Sequence, residues 1–162
     1  MRLRALTAAF LFLAFRASAA GCEGAEHRQF DFWVGRYDVT DHGRVIATSV
    51  IERFAGGCAI LESYTQLDGY SGKSINFYDA ALKRWRQKWA DSMGNSSEWQ
   101  GEFRDGAMQF LGEAHRADGV KVVRNMTFTP LADGNVRQAS DRSPDGGKTW
   151  APGYDFVYVR KP

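Results

Sequence analysis

One carboxylate of the sequence stands where a buried acid could do chemistry. Glu62 alternates with Ile60 and Tyr64 in the segment AILESY, and alternation along a β-strand places all three side chains on one face. A buried glutamate with a raised pKa could serve as general acid or base in a cavity enzyme. At the rim of a sheet the same residue would be an ordinary solvated side chain. Both interpretations stay open, and Glu62 is the candidate catalytic residue.

A second candidate site is a set of aromatic and amide side chains with strand periodicity. In RWRQKWAD, Trp85 and Trp89 flank Gln87 on one face, and SEWQGEFR places Trp99 and Phe103 on one face. Apolar walls with a few polar groups are typical of small-molecule sites. We therefore expect a pocket for a small hydrophobic or amphipathic molecule, with a filled core or a structural module without ligand as the alternative. The residues predicted to bind the ligand are Asn76, Tyr78, Trp85, Gln87, Trp89, Trp99, Phe103 and Phe110.

The segment SPDGGKTW, residues 143–150, fits the pattern S-x-D-x-G-x-T-W and resembles the Asp-box hairpin of sialidases. In that hairpin Asp and Ser side chains bind turn backbone while Trp packs beneath, and no group is catalytic. Sialidase propellers repeat the hairpin in several blades, whereas this sequence has one copy and is too short for a propeller. We predict a structural turn with the ring of Trp150 buried under it.

The first twenty residues read as a targeting segment. A basic start, an apolar run from Ala5 to Phe15 and small residues at 17–19 predict a secretory signal peptide over 1–20, followed by one domain over 21–162. The run is too short to span a bilayer about 30 Å thick. The chain has 21 Lys and Arg against 19 Asp and Glu, and three arginines lie in this segment. The remaining chain is nearly neutral, so no nucleic-acid-binding surface is expected.

Cys22 and Cys58 are the two cysteines of the chain. In a secreted or periplasmic protein an even number of cysteines predicts a disulfide. A bridge of this span would stabilise the fold by about 3–4 kcal/mol in the chain-entropy model. The alternative is lipidation of Cys22, because Ala-Ala-Gly-Cys is a loose lipobox.

The elements that must position these residues are short strands separated by Asp-Gly and other glycine turns. Such turns need positive φ, which Gly adopts without strain and Asp tolerates. Residues 23–32 alone have a mildly helical pattern. Ten meandering strands with one apolar face predict an all-β, antiparallel up-and-down barrel, since closure removes exposed edges. The strands are expected near 33–40, 45–54, 58–66, 73–79, 84–91, 97–104, 107–115, 120–129, 135–142 and 153–160.

Side-chain pairing suggests the register of the central hairpins. Setting Trp89 opposite Trp99 and Trp85 opposite Phe103 would pair aromatic rings inside and Arg86 with Glu102 outside, and such pairs are stabilising. The remaining expected pairs are Phe103 with Met108, Gly101 with Phe110, Tyr78 with Trp85, and Asn76 with Gln87.

Several motifs in order are similar to those of a known family. HRQFDFWVGRYDV, GGCAILE, GKSINFYD and SPDGGKTW followed by YVR resemble an uncharacterised family of exported bacterial proteins with a lipocalin-like, calycin-type barrel. The resemblance covers nearly all of residues 22–160 and implies fold and export, without a known activity. It also implies that Arg160 caps the ring of Tyr37, where members usually have Trp. Nitrobindin-type barrels, a more distant likeness, hold haem through a late histidine; none follows His115, so no cofactor is expected.

Overall fold

The computed structural model describes residues 21–115 and 121–162, excepting the side chains of Ala114, His115 and Lys121. The predicted signal segment and the Asp118-Gly119 turn lie outside the described residues. Ten β-strands form one closed antiparallel barrel in which each strand pairs with its neighbours along the chain. The strands are Gly35–Asp41 (β1), Arg44–Phe54 (β2), Ala59–Gln66 (β3), Ser71–Asp79 (β4), Arg84–Asp91 (β5), Ser96–Arg104 (β6), Ala107–His115 (β7), Lys121–Pro130 (β8), Val136–Ser143 (β9) and Ala151–Arg160 (β10).

The predicted fold class is confirmed, and closure occurs where β1 pairs with β10 from Tyr37↔Arg160 to Asp41↔Phe156. The expected pairs across β4–β5 and β6–β7 are also confirmed. Closure leaves no unpaired strand edge, so every strand contributes one face to a shared interior.

The predicted register of β5 and β6 is wrong by two residues. Gln87 faces Trp99, Trp85 faces Gly101 and Arg86 faces Gln100. The connecting turn sets this pairing: the Asp91 carboxylate accepts hydrogen bonds from the backbone N–H groups of Met93 and Asn95. Because side chains alternate with a period of two, a two-residue shift keeps every side chain on its predicted face.

An N-terminal segment fills one end of the barrel. It contains two 3₁₀ helices, Ala25–Arg28 and Asp31–Trp33, and the second ends one residue beyond the region 23–32 that was expected to be helical. Phe30 and Trp33 are fully buried; their rings stack at 4.9 Å, and Phe30 also contacts Trp85. We call residues 25–33 the plug. It closes the end of the barrel where β1 begins.

Four links hold the plug in place. Cys22 is bridged to Cys58, which confirms the predicted disulfide and leaves no thiol for lipidation. Asp31 pairs with Arg53 of β2, and the indole of Trp85 donates to Gln29 Oε1 at 3.1 Å.

The fourth link is Arg160. Its guanidinium donates to the carbonyls of Phe32, Val34 and Gly134 and lies 4.9 Å from the centre of the Tyr37 ring. The expected stacking of Arg160 on Tyr37 is thus confirmed. A Cβ at Gly35, whose φ is +154°, would collide with this guanidinium.

The Asp-box is a turn between β9 and β10, as predicted. Asp145 Oδ1 accepts from the Ser143 hydroxyl and from the backbone of Lys148 and Thr149. The expectation of a buried ring is wrong, because Trp150 is 42% exposed. Its indole donates to Gly147 O, so the ring packs on the turn itself. No described helix is long and apolar enough to cross a membrane.

Candidate functional site

The end of the barrel opposite the plug contains a cavity of about 1000 Å³ that opens to solvent. Its mouth is formed by the β3–β4 turn, with Asp68 and Tyr70, and by the β5–β6 turn, with Met93 and Asn95. Its walls combine polar side chains with six aromatic rings: Tyr64, Trp89, Trp99, Tyr154, Phe156 and Tyr158. This volume is in the range of pockets that hold small organic molecules.

Glycines position two of the aromatic walls. A Cβ at Gly72 would collide with the ring of Trp89, and a Cβ at Gly112 would lie 2.9 Å from the ring of Trp99. Trp99 is directly opposite Gly112 across β6 and β7. A strand glycine often marks such a close approach.

The eight residues predicted to bind a ligand all lie on the inner face, but they divide between the two ends of the barrel. Gln87, Trp89 and Trp99 line the cavity. Asn76 is fully buried behind Gln87. The remaining four lie at the plugged end, where each ring packs on a plug residue or on a ring that touches one: Tyr78, Trp85, Phe103 and Phe110.

Glu62 reaches the cavity from β3 and is 4% exposed. Its Oε1 accepts hydrogen bonds from Ser49 Oγ at 3.0 Å and from the Tyr158 hydroxyl at 2.9 Å. Its Oε2 accepts from Ser74 Oγ at 2.9 Å. The sequence left open whether this residue is a solvated rim residue or a buried acid. It is buried.

A chain of hydrogen bonds connects this carboxylate to the predicted amides. Gln87 Nε2 donates to Asn76 Oδ1 at 2.6 Å, and Asn76 Nδ2 donates to Ser74 Oγ at 2.9 Å. Ser74 in turn donates to Glu62. Each of these three hydrogen bonds is donated in the direction of the Glu62 carboxylate. The network thus ends on an acceptor with several lone pairs, as an ionised carboxylate provides.

Burial and hydrogen bonding act on the pKa of Glu62 in opposite directions. Desolvation raises the pKa above its ordinary value, while the hydrogen bonds from Ser74, Tyr158 and Ser49 oppose the rise. Burial and the nearby Glu62 carboxylate raise the pKa of Tyr158 well above its ordinary value. Tyr158 therefore keeps its proton and donates a hydrogen bond to Glu62.

The mouth contains a second carboxylate with a full set of partners. Asp91 Oδ2 accepts from the Tyr70 hydroxyl at 2.9 Å, and Oδ1 accepts from the backbone of Met93 and Asn95. Desolvation opposes ionisation here, but the hydrogen bonds from Asn95, Tyr70 and Met93 outweigh it and lower the pKa of Asp91. Burial and Asp91 raise the pKa of Tyr70.

The wall formed by β8, β9 and β10 was missed by the sequence argument. Gln138 Nε2 donates to the Tyr154 hydroxyl at 3.2 Å, and that hydroxyl donates to the sulfur of Met126. Arg124, on the same strand as Met126, also lines the cavity. The alternation of Arg124, Met126 and Phe128 in RNMTF could have indicated this inner face.

Among the described residues no group of three or more His, Cys, Asp or Glu side chains could hold a metal ion. No protein-family model and no curated protein matches the chain. The resemblance to an exported lipocalin-like family therefore stays a prediction.

Proposed function

We propose that this protein binds a small, partly apolar molecule in the barrel cavity. The observation that carries the proposal is a cavity of about 1000 Å³ that is open at one end and closed by the plug at the other. Rings such as Trp89 and Tyr154 offer apolar contact, and Gln87 and Gln138 offer polar groups that would orient a ligand. Apolar walls with a few fixed polar groups are typical of ligand pockets.

We also propose that the protein acts outside the cytoplasm. The Cys22–Cys58 disulfide supports this location, because structural disulfides persist in oxidising compartments. The predicted signal peptide and the family resemblance point the same way.

A second candidate function is acid–base catalysis by Glu62. The raised pKa of this buried carboxylate favours it. The hydrogen-bond shell favours ligand binding instead, since Ser49, Ser74 and Tyr158 already surround the carboxylate. A pH-dependent turnover that is lost in Glu62→Gln would select the catalytic function.

The binding proposal is tested with N-phenyl-1-naphthylamine, a neutral apolar dye whose fluorescence rises on leaving water. The matched variants are Trp89→Ala, which removes a cavity wall, and Trp150→Ala, which removes a partly exposed tryptophan at the same end that does not line the cavity. We expect saturable binding that weakens about tenfold in Trp89→Ala, a loss of about 1.4 kcal/mol. Trp150→Ala should stay within about twofold of the parent protein.

Lack of saturable dye binding, or equal effects of the two variants, would contradict the proposal. Native mass spectrometry of protein purified from its own host would then identify the class of any retained molecule.

A further inference from the structure

Arg124 is a cation placed inside the cavity. It lies on β8 opposite Gly112 of β7, two residues from the buried Met126, and it lines the cavity wall. Its Nε is buried and has no hydrogen-bond partner. A buried guanidinium donor without an acceptor is costly, because water no longer satisfies it.

The carboxylates of the cavity already have donors. Glu62 accepts from three hydroxyls, and Asp91 accepts from Tyr70 and from its own turn. Asp68 accepts from the backbone N–H of Tyr70 in the β3–β4 turn. Within the described part of the chain, Arg124 forms no hydrogen bond and no ion pair.

Three other arginines of the barrel have acceptors within the protein. Arg53 pairs with Asp31 and Arg137 pairs with Asp155, while Arg160 donates to three carbonyls. In each case the protein supplies the acceptor. At Arg124 the space in front of the guanidinium is the ligand cavity, so the acceptor that fits there is one that a ligand brings.

The surroundings of Arg124 suit an anion with an apolar body. The Tyr154 hydroxyl donates to the sulfur of Met126 at 3.2 Å, a weak acceptor that an anionic oxygen would readily replace. Burial raises the pKa of Tyr154, and the nearby positive charge of Arg124 opposes that rise. Beyond them, Trp99 and Phe156 provide apolar contact.

From these contacts, and given the binding function proposed above, we infer that the ligand is an amphipathic molecule whose carboxylate pairs with Arg124. Its apolar part lies along the cavity wall, against Trp99 and Phe156. Guanidinium and carboxylate match in geometry and can form two parallel hydrogen bonds.

The experiment compares decanoate with 1-decanol, two probes that differ in the head group, each titrated by displacement of N-phenyl-1-naphthylamine at pH 7.5. Three proteins are compared: the parent, Arg124→Met, and Arg44→Met as a matched control. Arg44 is exposed at the start of β2, at the same end of the barrel, and does not line the cavity. Its removal changes the net charge equally.

We expect the parent to bind decanoate at least about tenfold more tightly than 1-decanol. Arg124→Met should lose that preference, so that its affinities for decanoate and 1-decanol agree within about twofold, while Arg44→Met should keep the preference of the parent. Arg124→Lys should keep part of the preference, since it retains the charge without the planar fork.

The result that overturns the inference is equal affinity of the parent for both probes, or an unchanged preference in Arg124→Met. In either case dye binding would persist and the proposed function would stand. Failure of the dye itself to bind would remove the proposed function and the inference together. Should Arg124→Met not fold, the two probes on the parent and on Arg124→Lys still decide the question.

Discussion

The two ends of the barrel interior are built from the same alternation of side chains, but they differ in what fills them. At the plugged end Phe30 and Trp33 enter from outside the sheet and are fully buried against rings such as Phe128. At the open end no described segment covers the mouth, and Trp89 and Tyr154 line a cavity instead. The plug, held by the disulfide and by Arg160, makes the difference.

The polar groups divide in the same way. The hydrogen-bonded chain from Gln87 through Asn76 and Ser74 to Glu62 lies within the barrel, with its outer members at the cavity surface. Toward the plug the interior is mainly aromatic. Under the proposed binding function, the plugged end is a rigid base and the open end is available to a ligand.

The largest expected effect is a difference in the free energy of unfolding between variants at the two ends of the barrel. Trp33→Ala should lower the free energy of unfolding by about 3–5 kcal/mol, because it leaves a hole in a packed ring cluster. Trp89→Ala should cost only about 1–2 kcal/mol, since its ring already borders open space. Urea unfolding of both variants measures the difference.

Trp33→Phe is the control for this comparison. The indole Nε1 of Trp33 has no hydrogen-bond partner, so a phenyl ring should restore most of the lost stability. Equal losses in Trp33→Ala and Trp89→Ala would mean that the ends are packed alike and that the comparison is wrong.

The fold could be predicted from the sequence because its signals are local. Strand alternation marks the hairpins, together with positive-φ turns at Gly69, Gly94, Gly106 and Gly134. An antiparallel meander of this kind has few ways to remove its exposed edges other than closing into a barrel. The β5–β6 register could not be predicted from aromatic pairing, because the hydrogen bonds of Asp91 to its turn decided it.

The candidate site was predicted in part for a related reason. Alternation identifies the inner face of a strand, but it does not say how far along the barrel axis a residue lies. Trp85 and Trp89 are therefore equivalent in the sequence, yet Trp85 meets the plug and Trp89 meets the cavity. Alternation with Met126 and Phe128 could have indicated the inner face for Arg124, but the residues that share the cavity with it are distant in sequence and come together only when the barrel closes.

An intermediate effect concerns Glu62 and pH. Burial raises the pKa of Glu62 in the folded state, so ionisation disfavours folding. Its contribution to stability is full below the unfolded pKa of 4.5 and is lost as pH rises toward the folded pKa. The loss is at most about 1.4 kcal/mol per pH unit. Glu62→Gln should lack this loss, so its stability relative to the parent should improve as pH rises above 4.5 in urea melts.

The control for Glu62 is Glu52→Gln, at an exposed position on the outside of β2. Its stability should stay parallel to that of the parent over the same pH range. A constant difference between Glu62→Gln and the parent from pH 4.5 to pH 8 would show that Glu62 does not titrate as a buried group.

The smallest expected effect concerns the Asp-box, which lies at the open end but does not line the cavity. Asp145 accepts hydrogen bonds from Ser143 and from the backbone and side chain of Thr149. These bonds, those from Thr149 first, lower the pKa of Asp145 to about 2. Because the folded pKa of Asp145 is depressed, the contribution of this residue to stability is present above the unfolded value of 3.8 and is lost as pH falls toward 2.

Asp145→Ala should therefore lower the melting temperature by a few degrees at pH 6 and by less at pH 2.5. In another turn, Asp133 accepts two hydrogen bonds from Asn135. Asp133→Ala removes this acceptor and should lower the melting temperature by less than Asp145→Ala does. Dye affinity should not change in either variant. If Asp145→Ala abolished dye binding while the melting temperature stayed constant, the Asp-box would belong to the binding site. That site would then extend beyond the cavity walls.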